Sequence, residues 1–106
     1  KPFLVIGAPG GTYIAMGILQ AILNVVEFGM SALEAVSAPR FCTTSDTIQL
    51  TNRILRKTEQ DLVARGYPVR RWPMNYHFAG VHAIRITGRT MDGGADPGRD
   101  GMALSV

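Results

Sequence analysis

Residues 3–28 read FLVIGAPGGTYIAMGILQAILNVVEF, and this stretch decides which fold the chain can adopt. Its apolar run 3–6, closed by a glycine, predicts a buried strand. Residues 7–11 contain three glycines and a proline, which predicts a tight turn. A long helix is then predicted over 12–28, because apolar residues recur there at helical spacing on two adjoining faces. The stretch therefore predicts a buried strand that enters a well-covered helix through a glycine-rich turn.

The rest of the chain predicts a further mixture of helices and strands. Ser31 and Glu34 have capping-box spacing at the start of a short helix, and Thr58 with Asp61 has the spacing of a second capped start. The other predicted segments are a helix at 58–65, strands at 48–50, 81–87 and 102–106, and turns over 88–101. Helices interspersed with strands predict a layered α/β (α+β) fold.

Composition limits the class of protein. The 106 residues fit one domain or part of one, and 46% hydrophobic residues are enough to form a core. The formal charge of +3 comes from scattered basic residues, so no nucleic-acid surface is predicted. The longest apolar stretch, 13–28, is interrupted by Gln20, Asn24 and Glu27 and is too short and polar to span a bilayer.

No metal ion or other cofactor is predicted. Cys42 is the single cysteine, so neither an internal disulfide nor a zinc cluster can form, and it is expected to be a small, partly buried hydrophobic residue. His77 and His82 are five residues apart, which suits neither one helix face nor one strand face. For His82 a hydrogen-bonded structural role is expected. The aspartates within 92–100 lack the spacing of a calcium-binding loop.

Gly10 and Gly11 are the candidate functional residues. They lie where the strand enters the helix, and the first turn of a helix has backbone N–H groups without intrahelical partners. The helix dipole adds partial positive charge there, and glycine allows a ligand to approach the main chain. Such a turn can hold an anion or a developing oxyanion. Without other information, a glycine pair at a helix start is more often only a turn.

Longer sequence motifs resemble one enzyme family. The segment GAPGGTYI (7–14) resembles the Gly-Ser/Thr-Pro-Gly-Gly-x-x-Ile motif of γ-glutamyltransferases. EAVSAPRF (34–41) resembles the family pattern Glu-Ala-x-x-Ala-Pro-Arg-Phe, and it is the more specific of the two matches. GVHAI (80–84) and ADPGRDG (95–101) continue the similarity in the same order, with one extra residue at Gly98. The chain is therefore identified as similar to the C-terminal part of a γ-glutamyltransferase light subunit.

This resemblance implies a fold and a chemistry. The fold would be part of the αββα sandwich of N-terminal-nucleophile hydrolases, with residues 1–106 forming a single partial domain. The activity would be cleavage of γ-glutamyl amides such as glutathione, with transfer of the acyl group to water, an amino acid or a peptide. In the family an autoprocessed precursor exposes a catalytic threonine that attacks the amide. Gly10 and Gly11 would supply the N–H groups of the oxyanion hole.

The remaining parts of such a site are expected elsewhere in the precursor. The chain opens at Lys1 on a strand without a leader, which predicts a processed or cut product. No nucleophile is assigned here: Thr12 and the hydroxyls of residues 43–45 have the character of cap or loop residues. The isolated chain is therefore predicted to be inactive.

The partners implied are the large subunit, the N-terminal part of the light subunit and a small γ-glutamyl substrate. The resemblance favours a periplasmic or secreted location. Two alternatives stay open. The chain could belong to a non-catalytic binding or scaffold domain, or to a related acylase, similar to cephalosporin acylases, that acts on another amide.

Overall fold

Two three-stranded sheets organise residues 2–105, the part of the chain that the computed structural model describes. The strands are β1 (Leu4–Gly7), β2 (Phe41–Cys42), β3 (Ile48–Leu50), β4 (Val69–Arg71), β5 (His82–Thr87) and β6 (Thr90–Ala95). The helices are α1 (Ile14–Val26), α2 (Ala32–Ser37) and α3 (Arg56–Ala64). Short 3-10 turns occupy Gly11–Tyr13 and Asn75–His77.

The first sheet has the order β1-β5-β6 and is antiparallel throughout. The second sheet has the order β2-β3-β4, in which β2 and β3 are antiparallel and β3 and β4 are parallel. Helix α2 packs on β5 and β6 of the first sheet, α1 packs on α2 and joins the same buried cluster through Ala21, and α3 lies beside β4. The chain is therefore a mixed α/β arrangement, as the sequence predicts.

Small side chains let the helices approach the first sheet closely. Ala21 of α1 and Val36 of α2 pack in one buried cluster with Ala83 of β5. A Cβ on Gly17 would lie 3.2 Å from the side chains of Ala79 and Val81, so the glycine of α1 marks close packing, as expected from the sequence. The core thus lies between α1, α2 and the inner face of the first sheet.

The opposite face of the first sheet is open. Val5, Ile84 and Met91 point to this side and are 54%, 44% and 72% exposed. A groove of about 970 Å³ runs along it, between the strands and residues 101–105. Apolar side chains on one continuous sheet face are typical of a surface that packs against a second layer.

The end of the chain differs from the prediction. Residues 88–101 were expected to form turns, but β6 occupies Thr90–Ala95. The composition of β6 is unusual for a strand because β6 packs directly on α2. A Cβ on Gly94 would lie 2.6 Å from the backbone of Leu33, so only glycine fits there. The prediction of a final strand at 102–106 is wrong for residues 102–105, which form no strand. Ala103 instead lies over Gly93 on the face of the sheet. Val106 lies outside the described residues.

The start of α3 is also different. The helix begins at Arg56 with Leu55 at the N-cap position, so Thr58 lies inside the first turn and does not cap it. Arg71 of β4 contacts this end of the helix through Glu59, with Nε and Oε1 2.6 Å apart, and through the Ile54 carbonyl at 2.7 Å. The start is therefore fixed by contacts with β4 rather than by a local cap.

The start of α2 joins helix and sheet electrostatically. The predicted capping box is present: Ser31 Oγ accepts from the Glu34 N–H at 3.2 Å, and Glu34 Oε1 accepts from the Ser31 N–H at 3.0 Å. From β6, Asp92 Oδ1 accepts from the Ala32 N–H at 2.6 Å, and Arg85 Nε donates to Asp92 Oδ2 at 2.9 Å. The backbone hydrogen bond from Ala32 is the main cause that holds the pKa of Asp92 below its ordinary 3.8; Arg85 acts in the same direction.

Asp92→Asn in the complete gene product is expected to lower the free energy of unfolding by about 1 kcal/mol at pH 7. A carboxyl whose pKa is lowered by folding contributes stability above its ordinary pKa, and that stability is lost as the pH falls through the folded-state pKa. The difference in the free energy of unfolding between the unmodified protein and Asp92→Asn should therefore shrink below pH 3.8. Urea denaturation at several pH values measures it.

Asp61→Asn is the matched control, because the Asp61 side chain is 57% exposed and, among residues 2–105, forms an ion pair with Lys57 alone. Its effect should stay within about 0.5 kcal/mol. Equal effects of the two substitutions at pH 7 would contradict the role given to Asp92.

Candidate active site

The glycine turn at residues 7–11 connects β1 to the 3-10 turn that begins α1. Gly10 has φ 144° and Gly11 has φ 59°, values that side-chain-bearing residues adopt only with strain. A Cβ on Gly10 would lie 2.6 Å from the Ala79 Cα, whereas a Cβ on Gly11 would meet nothing within 4 Å. Gly10 is therefore packed against the protein interior, and Gly11 faces open space.

The N–H groups of both glycines are available. The Gly10 carbonyl accepts from the Tyr13 N–H at 3.2 Å, and the Pro9 carbonyl accepts from the Gly80 N–H at 3.1 Å. Within residues 2–105, neither the Gly10 nor the Gly11 N–H donates a hydrogen bond. Two neighbouring free donors at the start of a helix can stabilise negative charge on an oxygen. The two predicted site residues thus have the free donors that this chemistry requires, and their function in an oxyanion hole stays a prediction.

Residues 78–81, here called the backing segment, support the turn from behind. All four are buried. Ala79 fills the space beside Gly10, and Gly80 donates to the Pro9 carbonyl. Gly80 itself has no room for a side chain, because a Cβ there would lie 2.5 Å from Arg99 Cγ. The position of the glycine turn therefore depends on the position of the backing segment.

A buried ion pair holds the backing segment. Arg40 and Asp96 are each 5% exposed and form a salt bridge through Arg40 Nη2 and Asp96 Oδ2. Arg40 Nη2 also donates to the Ala79 carbonyl at 2.8 Å, and Asp96 Oδ2 accepts from the Val81 N–H at 3.0 Å. Asp96 Oδ1 accepts from the Gly98 N–H at 2.9 Å. The pair therefore holds one carbonyl and one N–H of the backing segment in place.

Sequence reasoning did not identify this pair. Arg40 and Asp96 lie in the motifs APRF and ADPGRDG, which carry the family resemblance, but they are 56 residues apart and no local pattern connects them. The motifs were the available signal, since a charged residue between apolar neighbours requires a buried partner. Which residue is that partner is decided only by the folded structure, in which β6 lies beside the end of α2.

A pocket of about 380 Å³ opens beside the turn, where Pro9, His82 and Arg99 lie along its wall. Arg99 Nη2 donates to the Tyr76 carbonyl at 3.1 Å and to the Phe78 carbonyl at 3.2 Å. His82 Nδ1 accepts from the Asp96 N–H at 3.3 Å, so the structural role expected for this histidine is confirmed. The backing segment is thereby fixed from a second side.

The other candidate residues lie elsewhere. Thr12 is exposed in the 3-10 turn and residues 43–45 form an exposed loop. Cys42 is buried, more completely than the partial burial expected from the sequence. Among the described residues, no group of three or more His, Cys, Asp or Glu side chains could hold a metal ion. Over the same part of the chain, no helix has the length and apolarity needed to cross a membrane.

Comparisons with known proteins agree with the motifs. The family model for gamma-glutamyltranspeptidase matches residues 1–106. The Acylase ACY 1 proenzyme of Pseudomonas sp. (strain V22) is 35% identical over 102 residues, which are 95% of this chain and 18% of that protein. The glutathione hydrolase proenzyme of Bacillus subtilis is 30% identical over 107 residues, which are 100% of this chain and 18% of that protein.

Solved structures show the same architecture. The gamma-glutamyltranspeptidase from Pseudomonas nitroreducens superposes with a TM-score of 0.85 at 30% identity, over 98% of this chain and 55% of that one. The fold predicted from the sequence, part of an N-terminal-nucleophile hydrolase, is therefore confirmed. The chain spans 18% of the length of the curated relatives named above.

Proposed function

The chain belongs to the gamma-glutamyltranspeptidase family, and on that premise we propose that it is the C-terminal portion of the light subunit of an enzyme that cleaves γ-glutamyl amides. The enzyme transfers the acyl group to water or to an amino acid or peptide. Residues 1–106 form a partial domain that supplies the oxyanion hole and part of the scaffold. The remainder of the same precursor supplies the threonine nucleophile and the groups that bind the γ-glutamyl substrate.

The observation that supports this proposal most directly is that the N–H groups of Gly10 and Gly11 donate to no acceptor within the described residues 2–105. When a nucleophile adds to an amide carbonyl, its oxygen becomes negatively charged, and donors already in place stabilise that charge. The backing segment keeps the donors fixed before the reaction begins, so little reorganisation is needed. The glycines bind this oxygen and take no proton.

The open face of the first sheet supports the proposed partner. Val5, Ile84 and Met91 present apolar surface to solvent along a groove of about 970 Å³. In a two-sheet sandwich such a face packs against the facing sheet of the sandwich, with side chains of both inner faces interdigitating. We assign this face to the upstream part of the precursor, which would bury the apolar side chains and bring the nucleophile towards the glycine turn.

An acylase that acts on a different amide is the second candidate. It is supported by the 35% identity to the Acylase ACY 1 proenzyme, which exceeds the 30% identity to the B. subtilis glutathione hydrolase proenzyme. Both candidates use the same acyl-transfer chemistry and the same glycine turn. They differ in the pocket that holds the acyl group, which we place in the remainder of the precursor.

The complete gene product is expected to cleave itself into two chains and then to hydrolyse a γ-glutamyl anilide. Electrophoresis with N-terminal sequencing detects the cleavage, and release of the aniline measures the activity. Residues 1–106 expressed alone serve as the comparison and should release no aniline. Hydrolysis of a cephalosporin side-chain amide with no hydrolysis of the γ-glutamyl anilide would favour the acylase. A complete product that cleaves neither itself nor any amide would refute both candidates.

A further inference from the structure

A hydrogen-bonded group of side chains includes Tyr13, which lies two residues after the glycine turn. The Tyr13 hydroxyl is 2.9 Å from Gln49 Oε1 and 2.8 Å from His77 Nε2. Trp72 Nε1 donates to the same Gln49 oxygen at 2.8 Å. These four residues, here called the Tyr13 cluster, come from the N-cap of α1, from β3, from the residue after β4 and from the second 3-10 turn.

The direction of each hydrogen bond in the Tyr13 cluster can be deduced. The indole N–H of Trp72 can only donate, so the Gln49 atom facing it must be the amide oxygen. Tyr13 has one hydroxyl proton and donates it to that oxygen. The Tyr13 oxygen must then accept from His77, which requires a proton on His77 Nε2. The chain of donors therefore runs from His77 through Tyr13 to Gln49, and every member has a defined role.

Aromatic packing restricts the Tyr13 cluster further. The Trp72 ring stacks on the His77 ring with centroids 3.8 Å apart. The Arg70 guanidinium carbon lies over the Trp72 ring, 3.8 Å from the ring centroid. The Tyr13 ring meets Phe78 edge-on at 5.6 Å. Because Phe78 begins the backing segment, the Tyr13 ring joins the glycine turn to the segment that supports it.

The link to the two free donors is short. Tyr13 closes the 3-10 turn: its N–H donates to the Gly10 carbonyl at 3.2 Å, and it occupies the N-cap position of α1. The start of α1 has no side-chain capping hydrogen bond of its own. The orientation of the turn therefore depends on where the Tyr13 side chain is held, and its hydroxyl is held by the second sheet.

We propose that Tyr13 is a positioning residue for the oxyanion hole, acting through its hydrogen bond to Gln49. It fixes the glycine turn so that the N–H groups of Gly10 and Gly11 are oriented before the substrate arrives. The hydroxyl itself touches no reacting atom. This inference rests on the proposed function, because it assigns a geometric requirement to that reaction. It also assigns a role to the second sheet, whose Gln49 accepts the hydrogen bond of the Tyr13 hydroxyl.

Tyr13→Phe in the complete gene product tests the inference. The phenyl ring keeps its packing on Phe78, while the hydrogen bond to Gln49 is lost. We expect kcat on a γ-glutamyl anilide, expressed per self-cleaved enzyme, to fall about tenfold, because a small displacement of donors is costly in an acyl transfer. KM should change less than about twofold, since the hydroxyl does not bind the substrate.

Two further variants make the test specific. Gln49→Leu removes the acceptor without touching the turn and should reproduce the loss in kcat. Tyr67→Phe, at a tyrosine that is 51% exposed, is the matched control and should leave kcat unchanged. An unmodified enzyme that hydrolyses no amide would refute the proposed function. An active enzyme in which Tyr13→Phe and Gln49→Leu both keep full kcat would refute the positioning role alone.

Discussion

Replacing Gly10 by alanine in the complete gene product is expected to lower kcat on a γ-glutamyl anilide by about 100-fold or more. The new Cβ would lie 2.6 Å from the Ala79 Cα, which is backbone and cannot rotate away. The φ angle of 144° adds strain for any residue with a side chain. The turn must therefore move, and its free N–H groups move with it. Steady-state kinetics per self-cleaved enzyme measure the loss.

Gly88→Ala is the matched control for this experiment. Gly88 also has a positive φ, 62°, but it lies in the tight turn between β5 and β6, where a Cβ would meet nothing within 4 Å. The substitution should cost about 1 kcal/mol of stability and leave kcat unchanged. If Gly10→Ala retained wild-type kcat while the protein stayed folded, the oxyanion role of the turn would be wrong.

Arg40→Gln is expected to lower the free energy of unfolding by about 3–5 kcal/mol, because it leaves the Asp96 carboxylate buried without its cationic partner. Both side chains are less than a tenth exposed, so solvent cannot replace the lost interaction. The hydrogen bond from Arg40 to the Ala79 carbonyl is lost as well. Equilibrium urea denaturation of the complete gene product measures the change.

Arg56→Gln is the corresponding control, since the Arg56 side chain is 76% exposed and its Nη1 lies 3.9 Å from Glu59 Oε1. Its effect on unfolding should stay within about 0.5 kcal/mol. Similar effects at positions 40 and 56 would contradict the role of the buried pair. Arg40→Gln should also lower kcat in the protein that remains folded, because the pair holds the backing segment against Gly10.

The residues changed in these experiments belong to one connected set of contacts that holds the glycine turn. Asp96 and Arg40 hold residues 78–81, those residues pack behind Gly10, and the Tyr13 cluster ties the other end of the turn to the second sheet. Each contact orders the backbone around the N–H groups of Gly10 and Gly11, as the proposed oxyanion hole requires, because preorganised donors need no reorientation during the reaction. Both sheets therefore contribute contacts that hold the glycine turn in place.

Local patterns predicted several elements correctly. The apolar run before Gly7 formed β1, the helical spacing of the following residues formed α1, and Ser31 with Glu34 formed a true capping box. These succeeded because the relevant interactions are between residues close in sequence. The motifs around Gly10 and Arg40 were enough to identify the family.

Other elements could not be predicted locally. Strand β6 contains Gly94 and Asp92, which are poor strand formers, because the first makes room for α2 and the second accepts from the start of that helix. Helix α3 starts at Arg56 because of contacts with Arg71, not because of Thr58. In each case a distant partner set the structure.

By itself, the sequence determined the family, the strand–turn–helix unit and the two glycines at its centre, since these depend on neighbouring residues and short motifs. The tertiary structure decided what holds that turn: the pairing of Arg40 with Asp96 and the meeting of Tyr13 with Gln49 and His77. These partners are 36 to 64 residues apart. Charge and hydrogen-bond partners act through space, and only the folded tertiary structure places them next to each other.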